Sequence, residues 1–106
     1  MPLVFDVDQD LPGSAMRIRT GTRADFAALD ALIQATPRTH ILAGDLASGQ
    51  VTYVTRSLVW GFPDYTTVAF ADGQLRLYGR LRFGKSDLGV NAVRVNGWLS
   101  ALEAQG

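Results

Sequence analysis

The chain of 106 residues has no cysteine, one histidine (His40) and one lysine (Lys85). Without thiols it can form no disulfide staple, no thiolate metal site and no thiol nucleophile, and the redox compartment stays open. No spacing of His, Asp or Glu matches a metal-ligand pattern, and nothing in the sequence asks for a cofactor. No apolar run approaches the roughly 18–20 residues that span a bilayer as a helix. Internal repeats and low-complexity tracts are absent as well. The opening MPLVFDVDQDLPGS has an acidic front and a Pro-Gly break, so it does not read as a signal peptide.

An excess of charge is missing too. Ten basic side chains face ten acidic ones, so no global field recruits nucleic acid or anionic lipid. The distribution is uneven. Residues 1–50 carry four Arg and six Asp, net −2; residues 51–106 carry six basic and four acidic residues, net +2. Apolar residues make up 47% of the chain, which suits one small globular domain with its own core.

What is present reads as alternating and helical segments. Residues 1–14 form an N-terminal arm that either pairs as an edge strand or, the favoured reading, lies loose, ahead of a single domain over 15–106. In AMRIRT (15–20), Met16 and Ile18 alternate with Arg17 and Arg19, a half-buried strand with the arginines outward. Thr22 caps a helix to about Ala35, with Asp25 completing a capping box and Phe26, Leu29, Leu32 and Ile33 at helical spacing. Strands follow at 39–44, 50–60, 65–71 and 74–83, the last two joined by the tight-turn pair Asp72-Gly73. On the final strand Leu75, Leu77, Gly79, Leu81 and Phe83 share one face, and Gln74, Arg76, Tyr78, Arg80 and Arg82 the other. A closing helix over about 87–104 gathers Leu88, Ala92, Val95, Leu99 and Leu102 on one arc. The predicted fold is α+β: a two-layer arrangement of strand, helix, four strands and helix, with an antiparallel meander and both helices on one face.

Residues 79–86, GRLRFGKS, fit the phosphate-loop pattern GxxxxGK[ST] through Gly79, Gly84, Lys85 and Ser86. The fit is coincidental. Arg-Leu-Arg-Phe continues the strand alternation where a phosphate loop needs a glycine-rich wrap after a parallel strand. The stretch is better read as a strand end, a glycine turn and a helix start capped by Ser86 or Asp87. Nucleotide binding through it is rejected.

The same stretch, RLRFGKSDLGVNAVRVNGWLSAL, resembles the C-terminal block of the family known as domain of unknown function 1499, found in bacteria and plants. The matching positions are Gly84, Ser86, Asp87, Leu88, Gly89, Asn91 and Arg94. TRSLVWGFPDYTTV resembles the family's middle block through Thr55, Arg56, Gly61, Phe62 and Asp64. Many members have two acids at that turn, where this chain has Asp64-Tyr65, and many open with a Cys-containing proline-rich block that this chain lacks. The resemblance is close over about residues 50–102 and weak over 15–49. It implies no established activity. Members often carry a membrane segment beside the domain, which implies work near a membrane.

Hairpin connectivity places the GFPD and GKSD turns at one end of the sheet. The candidate ligand-binding set is therefore Trp60, Asp64, Arg80, Lys85, Ser86, Asp87, Asn91, Arg94 and Trp98. Three readings stand. In the first, Asp, Asn and Arg lock the last helix to the sheet, with Asp64 neutralising an Arg. In the second, a binding or interaction module takes an anionic small ligand or a lipid headgroup. In the third, a small-ligand enzyme uses the Ser86, Asp87, Asn91 and Arg94 corner, although Ser86 has no evident base and no catalytic residue is assigned. Arg17, Arg19, Arg76, Arg80 and Arg82 with Tyr78 invite a nucleic-acid reading, which the neutral total and the single lysine oppose.

Overall fold

The computed structural model describes residues 5–57, 61–82 and 89–105. Among these, the strands are β1 (Gln9–Leu11), β2 (Ser14–Thr20), β3 (Thr39–Asp45), β4 (Gln50–Arg56), β5 (Pro63–Ala71) and β6 (Gln74–Leu81), and the helices are α1 (Arg23–Gln34) and α2 (Val90–Gln105). The strands form one antiparallel sheet in the order β1-β2-β6-β5-β4-β3. From β3 to β6 the chain is a meander, and β2 closes onto the far side of β6. The predicted α+β class and meander are what the structure has.

Local chemistry explains the start of α1 and the turn between β5 and β6. At the start of α1 the Thr22 hydroxyl accepts from the Asp25 N–H at 3.1 Å, and the Asp25 carboxylate accepts from the Thr22 N–H at 2.8 Å. Asp72 and Gly73, with φ of 53° and 75°, make the tight turn between β5 and β6 in the primed geometry that matches strand twist.

The helices share one core with one face of the sheet: Phe26, Leu29 and Ile33 from α1, Val95, Trp98 and Leu99 from α2, and Val51, Tyr53, Val68, Leu75 and Leu77 beneath. Phe26 stacks on Phe70 with ring centroids 5.8 Å apart. The Tyr53 hydroxyl donates to Asp30 Oδ1 at 2.6 Å. Burial, with that carboxylate as acceptor, holds the Tyr53 phenol far above its ordinary pKa.

Three expectations change. The arm does not lie loose throughout, since Gln9–Leu11 pairs with β2 as an edge strand. Second, β2 presents its arginines inward. Arg17 pairs across from Leu77 and Arg19 from Leu75, so both stand on the helix side, while Met16 and Ile18 share the open face with Tyr78 and Arg76. The reason is the arm. Arg17, only 7% exposed, donates to Asp10 at 2.6 Å and to Asn96 of α2 at 2.9 Å. Arg19 donates to both oxygens of Asp8 at 2.8 Å. Burial alone would raise the Asp8 pKa, but the Ile18 N–H, Arg19 and Arg17 outweigh it and hold the carboxyl below its ordinary value. Third, α2 begins at Val90, and its buried face is Asn91, Val95, Trp98 and Leu99, rotated from the expected arc toward Asn91 and Trp98. The predicted start at Asp87, its cap and Leu88 lie outside the described residues.

A row of small side chains admits that rotation. Ala15, Gly79 and Thr66 stand side by side on β2, β6 and β5 facing the helices. A β-carbon on Gly79 would lie 3.0 Å from Asn91 Oδ1 and 3.3 Å from Val95 Cγ1, so α2 rests directly on this backbone. That is the structural role of the glycine that mimics the start of a phosphate loop. Thr66 is 1% exposed, and its hydroxyl has no hydrogen-bond partner among the described residues. An orphaned buried hydroxyl costs about 1–3 kcal/mol. Thr66→Val, which keeps the shape and removes the polar atom, is expected to raise stability by about 1 kcal/mol in chemical denaturation. A loss of stability would mean that the hydroxyl has a partner in solution.

Candidate functional site

The predicted site residues fall into separate places. Asp64 opens β5 opposite Leu81 of β6. The Arg94 Nη1 of α2 donates to Asp64 Oδ2 at 3.1 Å and to Asn91 Oδ1 at 3.1 Å. Asn91 is fully buried, and the Asp64 and Arg94 side chains are about one-fifth exposed. The end of β5 thus meets the first turns of α2, as hairpin connectivity required. Arg94 bridges Asp64 of β5 and Asn91 of α2, so the arrangement ties helix to sheet. Trp98 is not at this corner: it sits in the core, its indole N–H donating to Thr36 Oγ1 at 2.8 Å, and Thr36 donates onward to Leu32 O. Trp60, Lys85, Ser86 and Asp87 lie outside the described residues.

Arg80 stands on the opposite face of the sheet from Asn91 and Arg94. It alternates with Gly79, which faces α2, and pairs across from Tyr65. Its guanidinium carbon is 4.7 Å from the centre of the Tyr78 ring and 5.8 Å from that of Tyr65. Nη1 donates to Thr67 Oγ1 and to the Tyr78 carbonyl, both at 3.0 Å. Thr67 is 3% exposed and shares a hydrogen bond with Thr52 at 2.9 Å, which anchors the guanidinium to the sheet.

Five arginine–aspartate ion pairs within 4.0 Å join described residues, and none involves Arg80. Burial lowers its pKa, while the two phenols favour the charged form. An arginine stays protonated through such a shift. The result is a half-buried cation, flanked by aromatic faces and without a carboxylate partner among the described residues. Its Nε and Nη2 make no hydrogen bond there. It opens into a concavity of about 570 Å³ that Leu11, Ser14, Tyr65, Tyr78 and Arg82 also line.

Two more arginines border this end of the sheet. Arg82 N donates to Pro63 O at 3.3 Å, Pro63 pairs across from Arg56, and Arg56 N donates to Arg38 O at 3.0 Å. Arg82 just after β6, Pro63 of β5, Arg56 of β4 and Arg38 just before β3 therefore follow one another across the sheet end. Arg56 Nη1 donates to the Gly61 carbonyl and Arg38 Nε to the Arg56 carbonyl, so neither has a carboxylate partner among the described residues.

Sequence reasoning did not find the Tyr65–Arg80–Tyr78 stack as a site. Tyr78 was visible as a stacking ring on the Arg-rich face. Tyr65 joins it only through the cross-strand register, which a single strand does not reveal.

A fold of six antiparallel strands covered on one side by two helices, with an arginine cup on the other, defines the class: a small two-layer α+β domain. The model of the family described as protein of unknown function (DUF1499) matches residues 6–102, nearly the whole chain, and the protein belongs to that family. No curated protein matches it.

Proposed function

We propose that the protein is a binding module that receives an anionic group in the cup formed by Arg80, Tyr65 and Tyr78. The observation that carries this reading is the half-buried Arg80 guanidinium with unused donors and no carboxylate beside it among the described residues. A cation held in this way by Thr67 and two rings is preorganised, so little ordering entropy opposes capture of an anion. Arginine's planar fork suits phosphate and carboxylate groups in particular. The Asp64–Arg94–Asn91 corner is a fastening in this reading and takes no ligand. The nucleic-acid reading loses two of its arginines, Arg17 and Arg19, to the helix side.

The test is thermal stability in inorganic pyrophosphate or citrate at matched ionic strength. At about ten times Kd the ligand adds about 1.4 kcal/mol, a shift of several degrees for a domain of this size. The shift is expected to disappear in Arg80→Gln. It is expected to persist in Arg94→Ala, even though that variant starts from a lower Tm. An equal shift in Arg80→Gln, or no shift with either anion, overturns the assignment.

A further inference from the structure

The charge of the molecule is zero in total but sorted in space. Asp45 closes β3, the β5–β6 turn carries Asp72, and the first turn of α1 carries Asp25 beside Arg23. The opposite end of the sheet carries Arg38, Arg56, Arg80 and Arg82. The described residues of the segments meeting there include two carboxylates, Asp64 and Asp10, engaged by Arg94 and by Arg17 on the helix side. The same end exposes apolar surface. Phe62, in the β4–β5 connection next to Arg56, is 58% exposed, and Leu11, on the rim of the Arg80 cup, is 47% exposed.

We infer that this end of the sheet docks on an anionic bilayer surface, with Arg38, Arg56 and Arg80 facing lipid phosphates and Phe62 entering the headgroup boundary. The inference rests on the anion-binding reading of the Arg80 cup and names the partner that presents the anion. Three arginines without carboxylate partners among the described residues, placed just before β3, at the end of β4 and on β6, match a plane of separate negative charges better than a single small anion, which one cup would satisfy. An aromatic side chain exposed among cations is the combination that interfacial binding uses, since the ring leaves water while the guanidiniums remain at the headgroups. The acidic end then points away from the surface, which orients the molecule as it approaches.

The experiment is co-sedimentation of the full chain with phosphatidylcholine vesicles, with and without about 30% phosphatidylglycerol, at low and at raised salt. Binding is expected only with the anionic lipid, and raised salt should weaken it. Arg38→Gln and Arg56→Gln should each lower partitioning about fivefold, the equivalent of about 1 kcal/mol per basic residue at an anionic surface, with Tm unchanged. Phe62→Ser should lower it further without altering the salt dependence.

Equal binding to neutral vesicles, no binding to anionic vesicles at low salt, or full binding by the Arg38→Gln/Arg56→Gln double variant overturns the inference. The two proposals fail separately. Pyrophosphate protection that needs Arg80, without vesicle binding, keeps the cup and removes the membrane. Vesicle binding that ignores Arg80→Gln, without pyrophosphate protection, removes the cup and leaves a surface carried by Arg38, Arg56 and Phe62.

Discussion

Replacing Phe26 by alanine is expected to remove about 3–5 kcal/mol of folding stability. Phe26 is fully buried and stacks on Phe70, so truncation loses both the transfer term of a large ring and the ring-on-ring contact. The site cannot collapse easily. Leu29 and Ile33 continue the same buried stripe of α1, and the Thr22–Asp25 box fixes the helix start one turn away. Stabilities of small domains are only about 5–15 kcal/mol, so this is a large share of the total. Calorimetry should show Tm falling by more than about 10 °C. Phe26→Leu, which keeps most of the volume, should cost about 1–1.5 kcal/mol. A loss below about 1 kcal/mol for the alanine variant would mean that α1 does not pack on the sheet through this face.

Gly79→Val tests how α2 meets the sheet, and two effects of opposite sign decide the outcome. Glycine within a strand is unfavourable, and valine is a preferred strand residue, so local propensity favours the change by up to about 1 kcal/mol. Packing opposes it. The first added carbon would stand 3.0 Å from Asn91 Oδ1 and 3.3 Å from Val95 Cγ1, and both of those residues are fully buried. Forcing carbons into a filled interface costs about 1–3 kcal/mol and sometimes more. The valine brings three, so a net loss of about 3 kcal/mol is expected. Asn91→Ala in the Gly79→Val background should restore at least about 1 kcal/mol, because it removes the nearest obstacle, and a double-mutant cycle reads that coupling directly. A Gly79→Val protein as stable as the parent would place α2 elsewhere.

Much of this architecture was legible because its signals are local. Thr22 and Asp25 lie three positions apart, Asp72-Gly73 makes its turn from two residues, and β6 alternates without a break. The meeting of Asp64 with the beginning of α2 followed from hairpin connectivity alone. What was not legible depended on distant partners. Alternation in β2 separates Met16 and Ile18 from Arg17 and Arg19, but it does not say which pair faces the helices. That choice is made by Asp8, Asp10 and Asn96, which arrive from the arm and from α2. The rotation of α2 depends on a missing side chain on another element, Gly79, which lets a polar Asn91 enter where an apolar arc was expected. Arg80 and Arg94, both drawn into one predicted pocket, stand on opposite faces of the sheet, because Arg80 alternates with Gly79, on which α2 rests.

The placement of β2 beside β6 carries a kinetic consequence. Thr20 meets its neighbour only when Gln74 has been made, and Ser14 only when Arg80 has. The strands from β3 to β6 pair with immediate successors and can zip in turn, whereas the first long strand leaves the ribosome with its mate still unsynthesised. Joining partners so remote along the chain is the slow kind of step. Until it happens, the edge of β2 that pairs with β6 stays open, and that interval is when the newborn polypeptide is most exposed to self-association.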